Sequence, residues 1–451
     1  MIKKWFVSYG LQGISLSSLM IVITLFVTVA MHGNVQQATT AAALYSTGTL
    51  IGSLFVGNLL DRKSLYGKVV FFGLIASSII TAVMPFSFNL KMYMISAILF
   101  GFSISMINPA ITLYLSRNFD DEKYRKYINN FYLGNSIGIT LGTFAGGYIL
   151  SILPMIAEPD RMRILFLFSS LLFAISAAIS ADIPRVKILK KSRKERRFTV
   201  SVRPVFASLR LIPRIFPKRI DLSAFSKEIK LYLAGVFTIF FGANLFFSPF
   251  PVYLKESLSI PSSTIFIMYG LGNIAATLAY LFTRHAMERF RDFSIMRVVL
   301  WVRIFSFFGI IAFGMMLHSV KWTLITFVLI NFTWPFLYIT STVQATKLAK
   351  EENKGRVLGL FNVVISFAVI LASFLSGTLA LHIGYYITFL IGAIILFVGE
   401  RITYLVAKKV PVPKEIIEKL NKERKKKNRI RKMRFERLSK FFRHKKFRAV
   451  L

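Results

Sequence analysis

Twelve stretches of this chain are apolar, nearly free of charge, and long enough to cross the ~30 Å hydrocarbon layer of a bilayer as a helix. Short polar breaks separate them. A backbone placed in lipid must satisfy its N–H and C=O groups within itself, so such stretches fold as helices rather than as irregular apolar segments. The composition agrees: 55% hydrophobic residues, 45 Phe and a mean hydropathy of +0.60 leave too little polar surface for a soluble domain of this length.

The predicted spans of the first half are 5–30, 38–60, 69–88, 92–116, 129–153 and 164–181. The run 5–30 follows Lys3 and Lys4 and ends at Val27 to Ala30, which weakly resembles the cleavage region of a signal peptide. Its length and the otherwise incomplete downstream pattern favour a retained span. The second half gives 231–254, 262–283, 295–317, 322–343, 358–381 and 383–407. The break between the last two, Leu381 to Gly384, is so short that their boundary is loosely defined.

The expected fold is therefore all-α and polytopic, with twelve transmembrane helices in two pseudo-symmetric six-helix bundles. The domain reading is an N-terminal bundle over 1–182, a basic linker over 183–230, a C-terminal bundle over 231–407 and a basic tail over 408–451. The linker holds fifteen Lys or Arg against three acids and the tail nineteen against four. Together they carry 27 of the formal +38, so the charge is concentrated in connections rather than spread as on a nucleic-acid binder.

Alternate connections fall on alternate faces. Lys91, Arg161, Arg163, Lys255 and Lys321 fall on one face, and, setting aside Arg303, the other 52 of the 58 basic residues fall on the opposite one. The positive-inside rule then predicts a multi-pass protein of the cell membrane with both termini and the linker cytoplasmic. A missed or invented span would scramble this segregation.

The halves also repeat. At an offset of 230, Lys126 aligns with Arg356, Asn129 with Gly359 and Gly147 with Gly377. Duplicated bundles place a substrate path between them.

After the second span the chain reads Gly57-Asn-Leu-Leu-Asp61-Arg62-Lys63-Ser-Leu-Tyr-Gly67-Lys68. Gly57 permits close helix approach, and Asp61 lies one turn on along the same face. Its carboxylate can accept charge-assisted hydrogen bonds from a neighbouring helix end, forming a latch that breaks when helices separate. The alternative is a solvated turn rich in interfacial basic residues. In the fifth span, Gly134, Gly138, Gly142 and Gly146, with Gly147 beside them, form a ladder that admits close helix contact. Generic helix packing is its plainer meaning.

These two stretches resemble the major facilitator superfamily. Gly57, Asp61, Arg62, Gly67 and Lys68 are similar to its loop motif between spans two and three, although Gly67 and Lys68 arrive about three residues late. Gly355-Arg356-Val-Leu-Gly359 is similar to the corresponding second-half loop, and Thr283 to Asp292 is a degenerate copy in which Glu288 and Asp292 are both candidates for the acidic role. The glycine ladder resembles the fifth-span pattern of exporters in the superfamily, with Ile139 where a proline is expected. The resemblance, over Trp5 to Ala407, implies secondary transport by alternating access and raises efflux as its direction.

No Asp or Glu lies deep in the first eleven spans, which weighs against a symporter built on a midplane carboxylate. Arg303 and Glu400 are the intramembrane exceptions and are expected to approach and pair. Of the neutral polar residues in the spans (Gln12, Asn108, Asn135, Asn244, Asn273, Asn331 and Gln344), the expected path residues are Asn108, Asn244 and Asn331. Trp334 joins them, since Asn108-Pro109 and Trp334-Pro335 place a proline break beside groups that bind or stack. Each amide has helix-packing glue as its alternative role. The uncharged midplane favours a neutral or cationic organic solute.

No phosphate-binding loop, HExxH or EF-hand spacing occurs, and Cys is absent, so no enzyme chemistry, metal or cofactor is expected. A monomer is expected, with nucleic acid disfavoured as a partner and anionic lipid a candidate partner of the basic segments. In the tail, Phe435, Leu438 and Phe442 near one helical face suit an interfacial helix; a solvated, disordered tail and, more weakly, RNA association are the alternatives. A membrane sensor or scaffold that uses these basic segments is the alternative function.

Overall fold

The computed structural model describes residues 2–62, 65–118, 121–152, 154–181, 225–315, 319–349 and 354–409. Most of the basic linker and nearly all of the basic tail lie outside these residues. Fourteen α-helices are described: α1 (Ile2–Val29), α2 (Val35–Arg62), α3 (Tyr66–Val83), α4 (Leu90–Ile104), α5 (Ile107–Asn118), α6 (Asp121–Ile152), α7 (Glu158–Ser180), α8 (Lys227–Phe247), α9 (Phe250–Glu256), α10 (Ser262–Arg289), α11 (Asp292–Met315), α12 (Val320–Leu348), α13 (Lys354–Ile383) and α14 (Tyr385–Lys409). Because α8 starts at Lys227, the last residues assigned to the linker are the first turn of the second bundle, capped by Ser226, whose Oγ accepts from the Ile229 N–H.

Two expected spans are broken rather than continuous. Span four divides into α4 and α5 at Ser105–Met106, just before Pro109, which has no N–H to donate to the carbonyl one turn back. Span seven divides into α8 and α9 at Ser248-Pro249. Pro335, by contrast, lies inside an uninterrupted α12. Among the described residues, eleven helical segments are long and apolar enough to cross a membrane, counting each broken pair once. The twelfth unit is α6, whose Gly, Asn, Ser and Thr content lowers its hydropathy while its 32 residues more than suffice in length. The short break after span eleven is a single-residue turn, with Gly384 at φ +84° between α13 and α14.

The packing repeats between halves. In the first, α1 packs on α6 and α7, α2 on α4, and α3 on α7; in the second, α8 packs on α13, α10 on α12, and α11 on α12. Gly242 and Gly235 of α8 let it approach Gly392 and Thr403 of α14, as α1 approaches α7. The bundles meet where α2 contacts α13 and where α6 contacts α10.

Their interiors are held differently. The first uses hydroxyl pairs, Ser8 with Ser176 at 2.8 Å, Ser77 with Ser103 at 2.9 Å and Ser78 with Ser170 at 3.1 Å. In lipid, where apolar burial drives little helix association, such bonds contribute about 0.6 kcal/mol each. The second uses stacked rings: Phe246 lies 4.2 Å from Phe307 and 4.6 Å from Phe389, and Phe250 4.9 Å from Phe327, all fully buried. Phe72, Leu281, Phe305 and other large apolar side chains point outward, as a lipid-facing surface requires.

Candidate functional site

The face where α1 begins is called here the terminal face, and the opposite one the far face. Along the seam between the bundles, the hydrogen bonds among described side chains run from the terminal side of mid-depth to the far face. Asn273 Nδ2 of α10 donates to Thr143 Oγ1 of α6 at 3.0 Å near mid-depth, and Ser136 and Thr277 lie 2.9 Å apart one to two turns nearer the terminal face. Gln36 Nε2 of α2 donates to Thr378 Oγ1 of α13 at 3.2 Å. At the far face, Lys255 Nζ donates to both carboxylate oxygens of Glu158, at 2.7 and 2.8 Å, and Ser262 Oγ donates to Glu158 Oε1. Glu158 opens α7 of one bundle, while Lys255 and Ser262 belong to α9 and α10 of the other. This clasp was not expected. Its signal in the sequence was the rarity of basic residues on that face, where Lys255 is one of five.

The glycine ladder places α6 between α1 and α10. A Cβ on Gly138 would lie 2.1 Å from the Gly10 carbonyl oxygen, and one on Gly142 2.1 Å from that of Ile14, whereas Gly134 faces the Phe6 carbonyl less tightly at 3.7 Å. At the far end the contact changes bundle: Gly146 and Gly147 abut Phe266 of α10. Gly377, which aligns with Gly147, meets α2, its absent Cβ falling 2.7 Å from the Gln36 Cα.

Of the path candidates, Asn244 and Trp334 both touch Phe240 of α8, and Asn331 lies one turn from Trp334. Asn244 Nδ2 donates to the Phe240 carbonyl at 2.8 Å, the Trp334 ring stands edge-on to the Phe240 ring at 5.8 Å, and Asn331, one turn before Trp334, packs against Gly272 of α10. Asn331 Nδ2 donates to its own helix at Phe327 O, 2.9 Å away. All three residues are half-buried. Asn108 belongs to the other bundle, is exposed, and accepts from the Tyr9 hydroxyl. Tyr9 stacks on Phe131 with centroids 3.6 Å apart, and Asn135 Nδ2 donates to its carbonyl at 3.4 Å. Tyr9 thus ties α1 to α5 and α6, a role no motif announced. Gln12 is buried beside a small cavity with room for about one water, lined by Ser8, Tyr9 and Ser180 among others.

The latch candidates Gly57, Asp61 and Arg62 are in the last turns of α2, with side chains outside the described set. Gly67 and Lys68 are not loop residues: both lie in the first turn of α3, Gly67 half-buried and Lys68 exposed. In the second-half loop Asp292 is buried and accepts from Gln344 Nε2 at 3.0 Å and from Lys347 Nζ, fixing the start of α11 to the end of α12. Glu288's side chain lies outside the described set.

The expected Arg303–Glu400 pair does not form. Glu400, 1% exposed, accepts instead from Arg297 Nε at 3.0 Å, with Arg401 Nε 3.5 Å away. Arg297 precedes Arg303 by six residues, about 9 Å along α11, and that offset matches the depth of Glu400 near the end of α14. Arg303 is fully buried, donates through Nη2 to the Ile330 carbonyl at 3.2 Å, and lies 5.3 Å from the Trp334 ring centroid and 5.8 Å from that of Phe247. Among the described residues no three His, Asp or Glu side chains are grouped to hold a metal.

Known structures share this architecture. A variant of the nucleoside transporter NupG matches with a TM-score of 0.71 at 15% identity, over 90% of this chain and 99% of that one. The POT family transporter PepTSo matches with a TM-score of 0.66 at 12% identity, over 90% and 97%. A bacterial homologue of the human lysosomal transporter Spinster, in an inward-facing and occupied conformation, matches with a TM-score of 0.65 at 11% identity, over 91% and 96%. No curated protein matches the chain by sequence. The Major Facilitator Superfamily profile matches residues 5–373, and with the paired bundles and their α2–α13 and α6–α10 seams this establishes that the chain belongs to that superfamily.

Proposed function

We propose that this protein carries a small organic solute between its bundles, binding it near Asn108, Asn244, Asn331 and Trp334, with the terminal face cytoplasmic. Secondary transport by alternating access is the general function of the family, and it is non-enzymatic. The observation that carries the reading is the polar seam between the bundles. Among the described residues, polar contacts join the bundles through the membrane interior and end at the far face on the Glu158 clasp. An interface built from a few separable polar contacts and small residues suits bundles that must part.

The positive-inside count supports the cytoplasmic assignment, so the far face is the outer one and the Glu158 clasp closes the outer side. In the reverse state, Asp61, Arg62 and the neighbouring Gly57, Gly67 and Lys68 would close the terminal face. The fifth-span ladder supports efflux as the direction. The basic linker and tail supply an inner-surface charge suited to anionic lipid.

Purified protein in proteoliposomes, screened against a broad solute panel with and without imposed proton and sodium gradients, tests this reading. Saturable flux that is lost when all four path residues are replaced together is the expected result. Specific partner binding without flux of any solute would replace transport with a sensor or scaffold function.

A further inference from the structure

Arg303 sits at mid-helix in α11, fully buried, in a bundle interior made largely of rings, aliphatic side chains and small hydroxyl residues. One of its nitrogens has a partner, the Ile330 carbonyl. Nε and Nη1 are buried and have none, and no described carboxylate pairs with the group, since Glu400 is taken by Arg297. A guanidinium cannot shed its charge as a lysine can, and in an apolar interior its free donors and net charge both call for an anionic oxygen.

The direction from which that oxygen would come is visible. The Trp334 and Phe247 rings lie within 5.3 and 5.8 Å of the guanidinium, Trp334 shares one face of α12 with Asn331 and Tyr338 at i, i+3 and i+7, and its neighbour Phe240 is one turn from Asn244 on α8. The charge is therefore one aromatic layer behind the proposed path. We infer that Arg303 is the anion receptor of that path, so that the solute carries a carboxylate or a similar anionic oxygen group, which the guanidinium binds beside Trp334.

This rests on the transport reading and reverses the sequence-based expectation of a neutral or cationic solute. The absence of deep carboxylates leaves Arg303 as an uncompensated positive centre, which repels a cation and gives a neutral solute nothing to neutralise.

Matched probes test it: acetate, benzoate and indole-3-acetate, each with the amide and amine of the same skeleton, at constant ionic strength. Binding is read as thermal stabilisation of the purified full-length protein, and flux is read in proteoliposomes. At least one acid is expected to bind tenfold or more tightly than its amide, with no binding by the amines. Arg303→Gln should abolish the preference and Arg303→Lys retain part of it. Without any probe, Arg303→Gln should melt no lower than the parent, because it removes an unpaired charge rather than a contact. If a variant fails to fold, the acid–amide comparison on the parent protein still decides.

Equal binding of acid and amide, binding of amines, no stabilisation by any acid, or an acid preference that survives Arg303→Gln would each overturn the inference. Flux of an amide or amine but no acid would leave transport standing and remove the anion receptor. Arg303-dependent acid binding without flux of any probe would keep the receptor and count against transport.

Discussion

At the scale of single residues, the ion pairs depend on depth, which the sequence states only coarsely. Glu400 was legible as an intramembrane acid needing a cation, and α11 as the helix to supply it. Which arginine does so follows from the vertical offset of α11 against α14, set by the stacking of whole helices, and it selects Arg297. Because Arg297 is 42% exposed and Glu400 nearly fully buried, removing the arginine leaves a buried carboxylate with only the longer Arg401 contact. Arg297→Ala should therefore destabilise the protein by about 2 kcal/mol, and Glu400→Gln on top of it should recover part of the loss. Simple additivity in melting experiments would show that the two are not coupled. The Glu158 clasp is partly solvated, with side chains about one-quarter exposed, so it is worth about 1 kcal/mol and a roughly fivefold change in the population of far-face-closed molecules. Because the chain contains no cysteine, one introduced at the far face reports this directly. Glu158→Gln should speed its maleimide labelling several-fold, and an unchanged rate would mean the clasp does not hold the face shut.

Among elements, apolar runs and their basic flanks located the spans well, because lipid leaves the backbone little choice but helix. The breaks were harder to read. Asn108-Pro109 is legible as an interruption, whereas Ser248-Pro249 in span seven is not, since a proline near the end of an apolar run is as compatible with a helix terminus as with a break. The offset of 230 residues proved to have a spatial meaning: Gly147 and Gly377 are each the close-approach point of a span-five-type helix on the other bundle. The glycines nevertheless differ in what they join. Gly138 packs α6 on α1 within one bundle, and Gly377 packs α13 on α2 across the seam, with its missing Cβ 1.8 Å from Thr39 Oγ1. Gly138→Leu should thus cost folding stability, about 1–3 kcal/mol or outright loss of folded protein. Gly377→Leu should melt close to the parent but hold the far face open and abolish flux. Equal stability losses from the two substitutions would refute the distinction between bundle core and moving seam.

For the whole molecule, the seam contacts suggest the geometry of the motion. If the bundles rock as rigid bodies, contacts near mid-depth change little while those at the faces separate, so a tether's effect should depend on its depth. Thr143 and Asn273, 3.0 Å apart at their side-chain tips near mid-depth, and Gln36 and Thr378, 3.2 Å apart nearer the far face, each suit a short reducible thiol-bridging reagent. In the cysteine-free chain, the Gln36→Cys/Thr378→Cys tether should abolish flux, and that loss should scale with the fraction cross-linked. The Thr143→Cys/Asn273→Cys tether should leave a substantial fraction of flux, with full recovery on reduction. The contrast matters because sliding of α6 along α10, or of α2 along α13, would move mid-depth and far-face contacts alike. Equal inhibition by both tethers would therefore favour sliding over rocking, and undiminished flux with the far-face tether complete would exclude separation of α2 from α13 as the step that opens the far face.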